Sequence, residues 1–98
     1  MEFYKEILQQ LGGKKFIVMT GAKALVYDNK TRSLTFKIMK NAKKVTHVKI
    51  TLNAMDTYDL IFFNCGKEIK IMSQVKGVYF DMLQAVFTDN TGLYTKLF

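Results

Sequence analysis

Phe3, Tyr4, Ile7, Leu8 and Leu11 recur at spacings of one, three and four residues, the apolar stripe of an amphipathic helix. Gly12-Gly13 closes that helix, because glycine enters the left-handed backbone region at no steric cost. The pattern then changes. Phe16, Ile17, Val18 and Met19 are apolar on both parities, which predicts a strand covered on both faces, one of them by a helix, and broken at Thr20-Gly21-Ala22. A short strand around Leu25 to Tyr27 leads into the polar cluster Asp28-Asn29-Lys30-Thr31-Arg32, whose residues suit a turn.

Two half-buried strands come next. Leu34, Phe36 and Ile38 alternate with Thr35, Lys37 and Met39, and Val48, Ile50 and Leu52 alternate with His47, Lys49 and Thr51, so both strands place even-numbered residues inward. If the two pair as a hairpin, facing residue numbers sum to an even value, which requires an odd-length loop or a bulge near residues 41 to 45. Lys37, His47 and Lys49 then share the outward face, with Lys40, Lys43 and Lys44 on the adjoining rim. From Tyr58 to Cys65 the chain is again apolar on both parities, as a central strand would be. Gly66-Lys67 reads as a two-residue turn that sets Ile71 opposite Phe62 and Val75 opposite Tyr58. Met72 would face Ile61 and Lys70 would face Phe63 on the reverse side, so either a helix covers that side or an apolar patch lies open.

A second amphipathic helix is expected from Val78 to about Phe87 on Tyr79, Phe80, Leu83, Val86 and Phe87, closed by Thr88-Asp89-Asn90-Thr91-Gly92. Leu93, Tyr94, Leu97 and Phe98 are too apolar for a free end and should dock on the core or complete a sheet edge. The expected fold class is α+β: one domain over residues 1–98 with an N-terminal helix, an antiparallel sheet of about five strands, a C-terminal helix and a short tail. Apolar runs such as Leu60-Ile61-Phe62-Phe63 are too short to cross a bilayer, and no signal-peptide pattern is expected at the N-terminus, so no membrane partner is predicted. The single cysteine, Cys65, cannot form an internal disulfide, which fits a reducing cytoplasm. One Cys and one His are a fragment of a zinc set, so neither a metal nor another cofactor is expected.

Charge changes this picture more than composition does. Ten of the fifteen basic residues lie between Lys14 and Lys49 against one acid, Asp28, while the flanking segments are each close to neutral. The net charge of +7 is therefore local, as for a surface that meets phosphate or another acidic partner. The candidate contacts are Lys37, Lys40, Lys43, Lys44, His47 and Lys49, with Lys14, Lys15, Lys23 and Arg32 in support. A solvated basic face with no ligand is the plainer alternative, since strands commonly alternate lysine with core residues. With Arg32 the only arginine and both expected helices nearly neutral, bidentate base reading and a recognition helix are both disfavoured. Few aromatics are expected near the lysines, so a base-stacking platform is not evident, although Tyr27 is a candidate.

Catalytic chemistry finds little support. His47 and Cys65 are the obvious acid–base or nucleophile candidates, and each has a simpler reading, as a phosphate-adjacent histidine and a packed small hydrophobe. Asp56 and Asp59, three apart, fall on opposite faces of an extended chain. Leu11-Gly12-Gly13-Lys14-Lys15 and Thr20-Gly21-Ala22-Lys23 lack the GxxxxGK[ST] spacing of a phosphate loop, although turns rich in N–H groups could still hold one phosphate. No enzyme is expected.

Several segments are similar to a known group: Leu11-Gly12-Gly13-Lys14-Lys15-Phe16, Met19-Thr20-Gly21-Ala22-Lys23, Asn41-Ala42-Lys43-Lys44, Val48-Lys49-Ile50-Thr51-Leu52-Asn53, Tyr58-Asp59 and Thr91-Gly92-Leu93-Tyr94-Thr95. Together they resemble small proteins encoded by bacteriophages, prophages and other bacterial mobile elements. The resemblance implies a bacterial host cytoplasm and an accessory role, such as DNA metabolism or countering host defence; it carries over no functional residue. Two functions are therefore in view. The first is a non-enzymatic module engaging nucleic acid or a nucleoprotein complex through the lysine-rich sheet. The second is an inhibitor of a host defence system, anti-CRISPR or similar, that grips an acidic protein surface, or the nucleic acid the defence complex uses, through the lysines and exposed apolar side chains such as Met39. An open face carrying Ile61, Phe63 and Met72 would favour a homodimer.

Overall fold

Phe16 and Val18 would share a face in a strand; instead Phe16 is wholly buried and Val18 is 76% exposed. The expected strand at Phe16–Met19 is in fact a helix. In the computed structural model, which describes residues 3–93, α1 spans Phe3–Leu11 and α2 spans Lys14–Thr20. The apolar run misled because it fits two periods: Phe16 and Thr20, four apart, are buried while Val18 faces solvent, as helical geometry requires. Gly21 ends α2 at φ 67°, its N–H donating to Ile17 O at 3.0 Å. A Cβ there would lie 3.1 Å from the Met39 Cβ, so this position needs glycine for both its backbone angle and its space.

Five antiparallel strands follow in simple meander order: β1 Lys23–Asp28, β2 Ser33–Lys37, β3 His47–Leu52, β4 Tyr58–Cys65 and β5 Ile69–Val78. Register between β2 and β3 pairs Leu34 with Ile50 and Lys37 with His47, the even sum required by two inward-facing even sets. An odd-length loop, residues 38–46, makes it possible. The β4–β5 connection differs from expectation. It contains Gly66, Lys67 and Glu68, so Ile71 faces Phe63, not Phe62, and a bulge at Met72 then moves Ser73 opposite Phe62. A second irregularity leaves Tyr58 paired with Val78 and Leu60 with Val75, not Tyr58 with Val75. Asp59 fastens it by accepting the Gly77 N–H at 3.0 Å, since a bulge leaves a backbone group without its ladder partner.

Beyond β5 a 3-10 turn, Phe80–Met82, leads into α3, Leu83–Thr91, capped by Gly92 at φ 79°. The C-terminal helix is thus shorter at its start than predicted. Tyr79 and Phe80 are exposed outside it, while the Thr88–Thr91 segment, expected as its closure, continues the helix. Leu93 packs on the core as anticipated, and Tyr94, Leu97 and Phe98 lie outside the described residues, as do the side chains of Phe3 and Tyr4.

All three α-helices contribute to a single core on one side of the sheet. Ile7 and Leu11 of α1, Phe16 of α2, and Leu83 and Phe87 of α3 join Leu34, Phe36, Val48, Ile50, Leu60 and Phe62 in one buried cluster. The Phe16 ring stands edge-on to Phe36 at 5.5 Å and to Phe87 at 5.1 Å, the geometry that aromatic quadrupoles prefer. Gln84 Nε2 donates to Leu11 O at 3.0 Å, tying α3 to the end of α1. The buried hydroxyls of Thr20 and Thr91 donate to the carbonyls of Phe16 and Phe87, four residues back, so neither carries an unmet polar group. The fold is α+β with two layers, helices on one side and sheet on the other.

The helical placement of Phe16 and Val18 is testable by denaturant unfolding. Phe16→Ala should cost about 3–5 kcal/mol, the usual toll of emptying a buried aromatic site. Val18→Ala should change stability by less than about 0.5 kcal/mol, as expected of an exposed side chain. Comparable losses for both would contradict this assignment of α2.

Candidate nucleic-acid interface

In an antiparallel sheet, residues directly opposite each other point to the same side, so the register writes out the outer face row by row. One row runs Lys23, Lys37, His47, Phe63, Ile71 across all the strands. The next runs Val26, Thr35, Lys49, Ile61, Gln74, and a third carries Asp28, Ser33, Thr51 and Asp59. No helix of the described residues joins its buried side chains to this side; their apolar faces all enter the opposite core. Lys23, Lys37 and His47 thus lie toward one end of the open face and the carboxylates Asp28 and Asp59 at the other.

Asp59 is committed locally, taking a hydrogen bond from Asn53 Nδ2 at 3.1 Å as well as that from Gly77. Asp56 sits at φ 60° in the turn between β3 and β4. The two aspartates do separate structural work and form no carboxylate pair.

Lys23, Lys37, His47 and Lys49, drawn from β1, β2 and β3, are brought onto one patch. Lys23 and Lys37 are exposed; His47 and Lys49 are half-buried. Beside them, the 38–46 loop exposes Lys40, Lys43 and Lys44. Asn41 braces the loop: its Nδ2 donates to Met39 O at 2.9 Å and Val45 O at 2.7 Å, and its Oδ1 accepts Val45 N–H at 3.1 Å. Asn64 Nδ2 donates to Lys44 O at 2.7 Å, fastening the loop to β4. The remaining sequence candidates lie elsewhere. Lys14 and Lys15 are exposed on α2 in the helical layer, where Lys14 lines a shallow groove with Lys5, Leu8 and Ile17. Arg32 sits in the β1–β2 turn, its carbonyl accepting Leu52 N–H at 2.9 Å, at the end of the sheet opposite the β2–β3 loop. Tyr27, opposite Leu34, belongs to the other side of the sheet from the lysines.

Sequence reading missed the aromatic member of the patch. The imidazole of His47 and the ring of Phe63 are nearly parallel, 15° apart with centroids 5.3 Å from each other. Sequence periodicity puts Phe63 on the reverse side of β4 with Ile61, but its place beside His47 rests on the β3–β4 register, which periodicity leaves open. Thr46 Oγ1 lies 2.8 Å from His47 Nδ1 and accepts Cys65 N–H at 2.8 Å, holding the imidazole in place. Partial burial, and then the positive charge of Lys37, lower the pKa of His47 below its ordinary 6.5. Cys65 is an exposed free thiol, not the packed residue expected from its apolar strand. Among the described residues, no cluster of three or more His, Cys, Asp or Glu side chains is arranged to hold a metal ion, and no helix is long and apolar enough to cross a membrane.

No protein-family model, curated protein or solved structure matches this chain. The patch must be read from its own chemistry.

Because the folded pKa of His47 lies below the unfolded value, the unfolded chain takes up this proton first as pH falls. Stability from this group is therefore level above pH 6.5 and declines as pH drops through 6.5 toward the folded pKa. An NMR titration of the imidazole should show a midpoint below 6.5, and Lys37→Gln should move it upward. A wild-type midpoint at or above 6.5 would contradict the burial and charge placement described.

Proposed function

We propose that this chain is a non-enzymatic accessory protein of a bacteriophage, prophage or other bacterial mobile element, acting in the host cytoplasm, that engages nucleic acid or a nucleoprotein complex. The observation that carries the reading is the convergence of Lys23, Lys37 and Lys49 with the tied loop bearing Lys40, Lys43 and Lys44 on one end of an open sheet face. These six lysines, spread over the sequence from 23 to 49, become one basic surface, while Asp28 and Asp59 lie at the far end. A polyanion is the partner such a surface favours, because several phosphates can be met at once and their counterions released.

An acidic protein surface is the second reading, as in an inhibitor of a host defence system. Exposed Val26, Ile69 and Ile71 on β1 and β5 favour it, since apolar patches rimmed by charge suit protein contacts. Salt-sensitive binding to bare oligonucleotides belongs to the first reading alone.

Fluorescence anisotropy with labelled oligonucleotides across a salt series tests the proposal. Four phosphate contacts would give a log–log slope of about −3 on single strands and about −4 on duplex. Lys23→Glu/Lys37→Glu and Lys40→Glu/Lys43→Glu/Lys44→Glu should each weaken binding about tenfold or more and flatten the slope, whereas Lys14→Glu/Lys15→Glu should change it less than about threefold. No binding by the wild type at low salt would sink the nucleic-acid reading.

A further inference from the structure

Taking nucleic-acid binding by the basic end as its starting point, we infer that the open sheet face is a platform for single-stranded DNA, with an unpaired base stacking on the His47–Phe63 ring pair. Three observations meet here. The rings already lie parallel at 5.3 Å, so a splayed base extends an existing stack. Lys37 is the cross-strand neighbour of His47 in the same row, and Lys49 lies in the row beside it, which places phosphate partners next to the stacking site. On the other side of Phe63 the face turns apolar, with Ile71 directly opposite it and Ile61 two residues along β4.

Each feature selects against a different occupant. A duplex keeps its bases paired and stacked, so a ring in the middle of a sheet face gains nothing from it; a single strand offers every base plane to an aromatic ring. Ile61 and Ile71 supply no hydrogen-bonding side chain for a ribose 2′-hydroxyl, the group that tells RNA from DNA, and suit the more apolar deoxyribose. A second copy of this chain would bury the apolar band too. Each copy, however, carries a net charge of +7, and a like charge of that size opposes self-association. An anionic partner with flat aromatic groups meets the lysines and the rings together.

The discriminating experiment compares wild type, Phe63→Leu and Lys23→Glu/Lys37→Glu on four probes of equal length: oligo(dT), an abasic deoxyribose strand, oligo(rU) and duplex DNA. Phe63→Leu keeps an apolar side chain and removes only the ring. On the inference, Phe63→Leu weakens oligo(dT) binding about five- to a hundredfold, the usual worth of one base–aromatic stack. It should leave the salt slope and the abasic-strand affinity unchanged, with oligo(rU) and duplex bound more weakly than oligo(dT) by the wild type. A Phe63→Trp variant, in a chain otherwise free of tryptophan, should show fluorescence quenching on adding oligo(dT) and none with the abasic strand.

Equal affinities of wild type and Phe63→Leu for oligo(dT), with binding still lost in the lysine double variant, would overturn the stacking platform and leave the broader proposal standing. Tighter binding of oligo(rU) than of oligo(dT) would overturn the choice of DNA. Absence of binding to every probe would overturn both. A dimer by sedimentation that Phe63→Glu dissociates would assign the face to a second copy instead.

Discussion

Everything in this fold depends on the ring of Phe16 filling the space between Phe36 and Phe87. One ring bridges the sheet, the second helix and the third, so the helical layer is held to a single side and that side is closed. A sheet closed on one side has only the other on which to meet a partner. Leu34 and Phe36 of β2, Val48 and Ile50 of β3, and Tyr58, Leu60 and Phe62 of β4 are consumed by the core, and residues alternating with them, such as Lys37, His47, Lys49 and Phe63, become the protein's presentation surface. Function is thereby pushed onto residues that alternate with core positions, where lysine, threonine and histidine are tolerated because they carry no packing duty.

That division gives the open face its mixed character. Phe63 and Ile61 are half-buried there without a covering layer, and Ile69 and Ile71 are more exposed still. Such apolar area beside a cluster of lysines is unusual for a surface whose only task is to stay hydrated. The bulges at Met72 and near Gly77, together with Lys70 and Lys76, give β5 an irregular, charged edge, which discourages strand addition by another chain. The face is available while the edge is guarded.

Period-two alternation makes the β2–β3 hairpin readable from the sequence, down to the even register sum and the outward placement of Lys37, His47 and Lys49. The basic patch was legible for the same reason. Three things were not. The run Phe16–Met19 satisfies strand and helix patterns alike, and only tertiary contact with Phe36 and Phe87 decides between them. Bulges in β5 are set by local backbone geometry and by the Asp59 carboxylate on Gly77, neither of which has a periodic signature. Phe63 was expected on the reverse side of the sheet with Ile61, but its pairing with His47 depends on the β3–β4 register, which sequence periodicity alone left open. Cys65, at the end of β4, is exposed: apolar company in sequence did not mean burial in space.

Phe87 has one further implication, for the order in which this protein can become itself. Strands adjacent in the sheet are adjacent in the chain, so each hairpin can pair soon after its second strand leaves the ribosome. Yet Phe16 and Phe62 both wait for Phe87, which is made after every strand. Until then the growing chain carries a meander whose apolar side is covered by α1 and α2 alone, and an intermediate with exposed apolar surface is where aggregation begins. Completion of the core during synthesis, and not only final stability, therefore turns on α3.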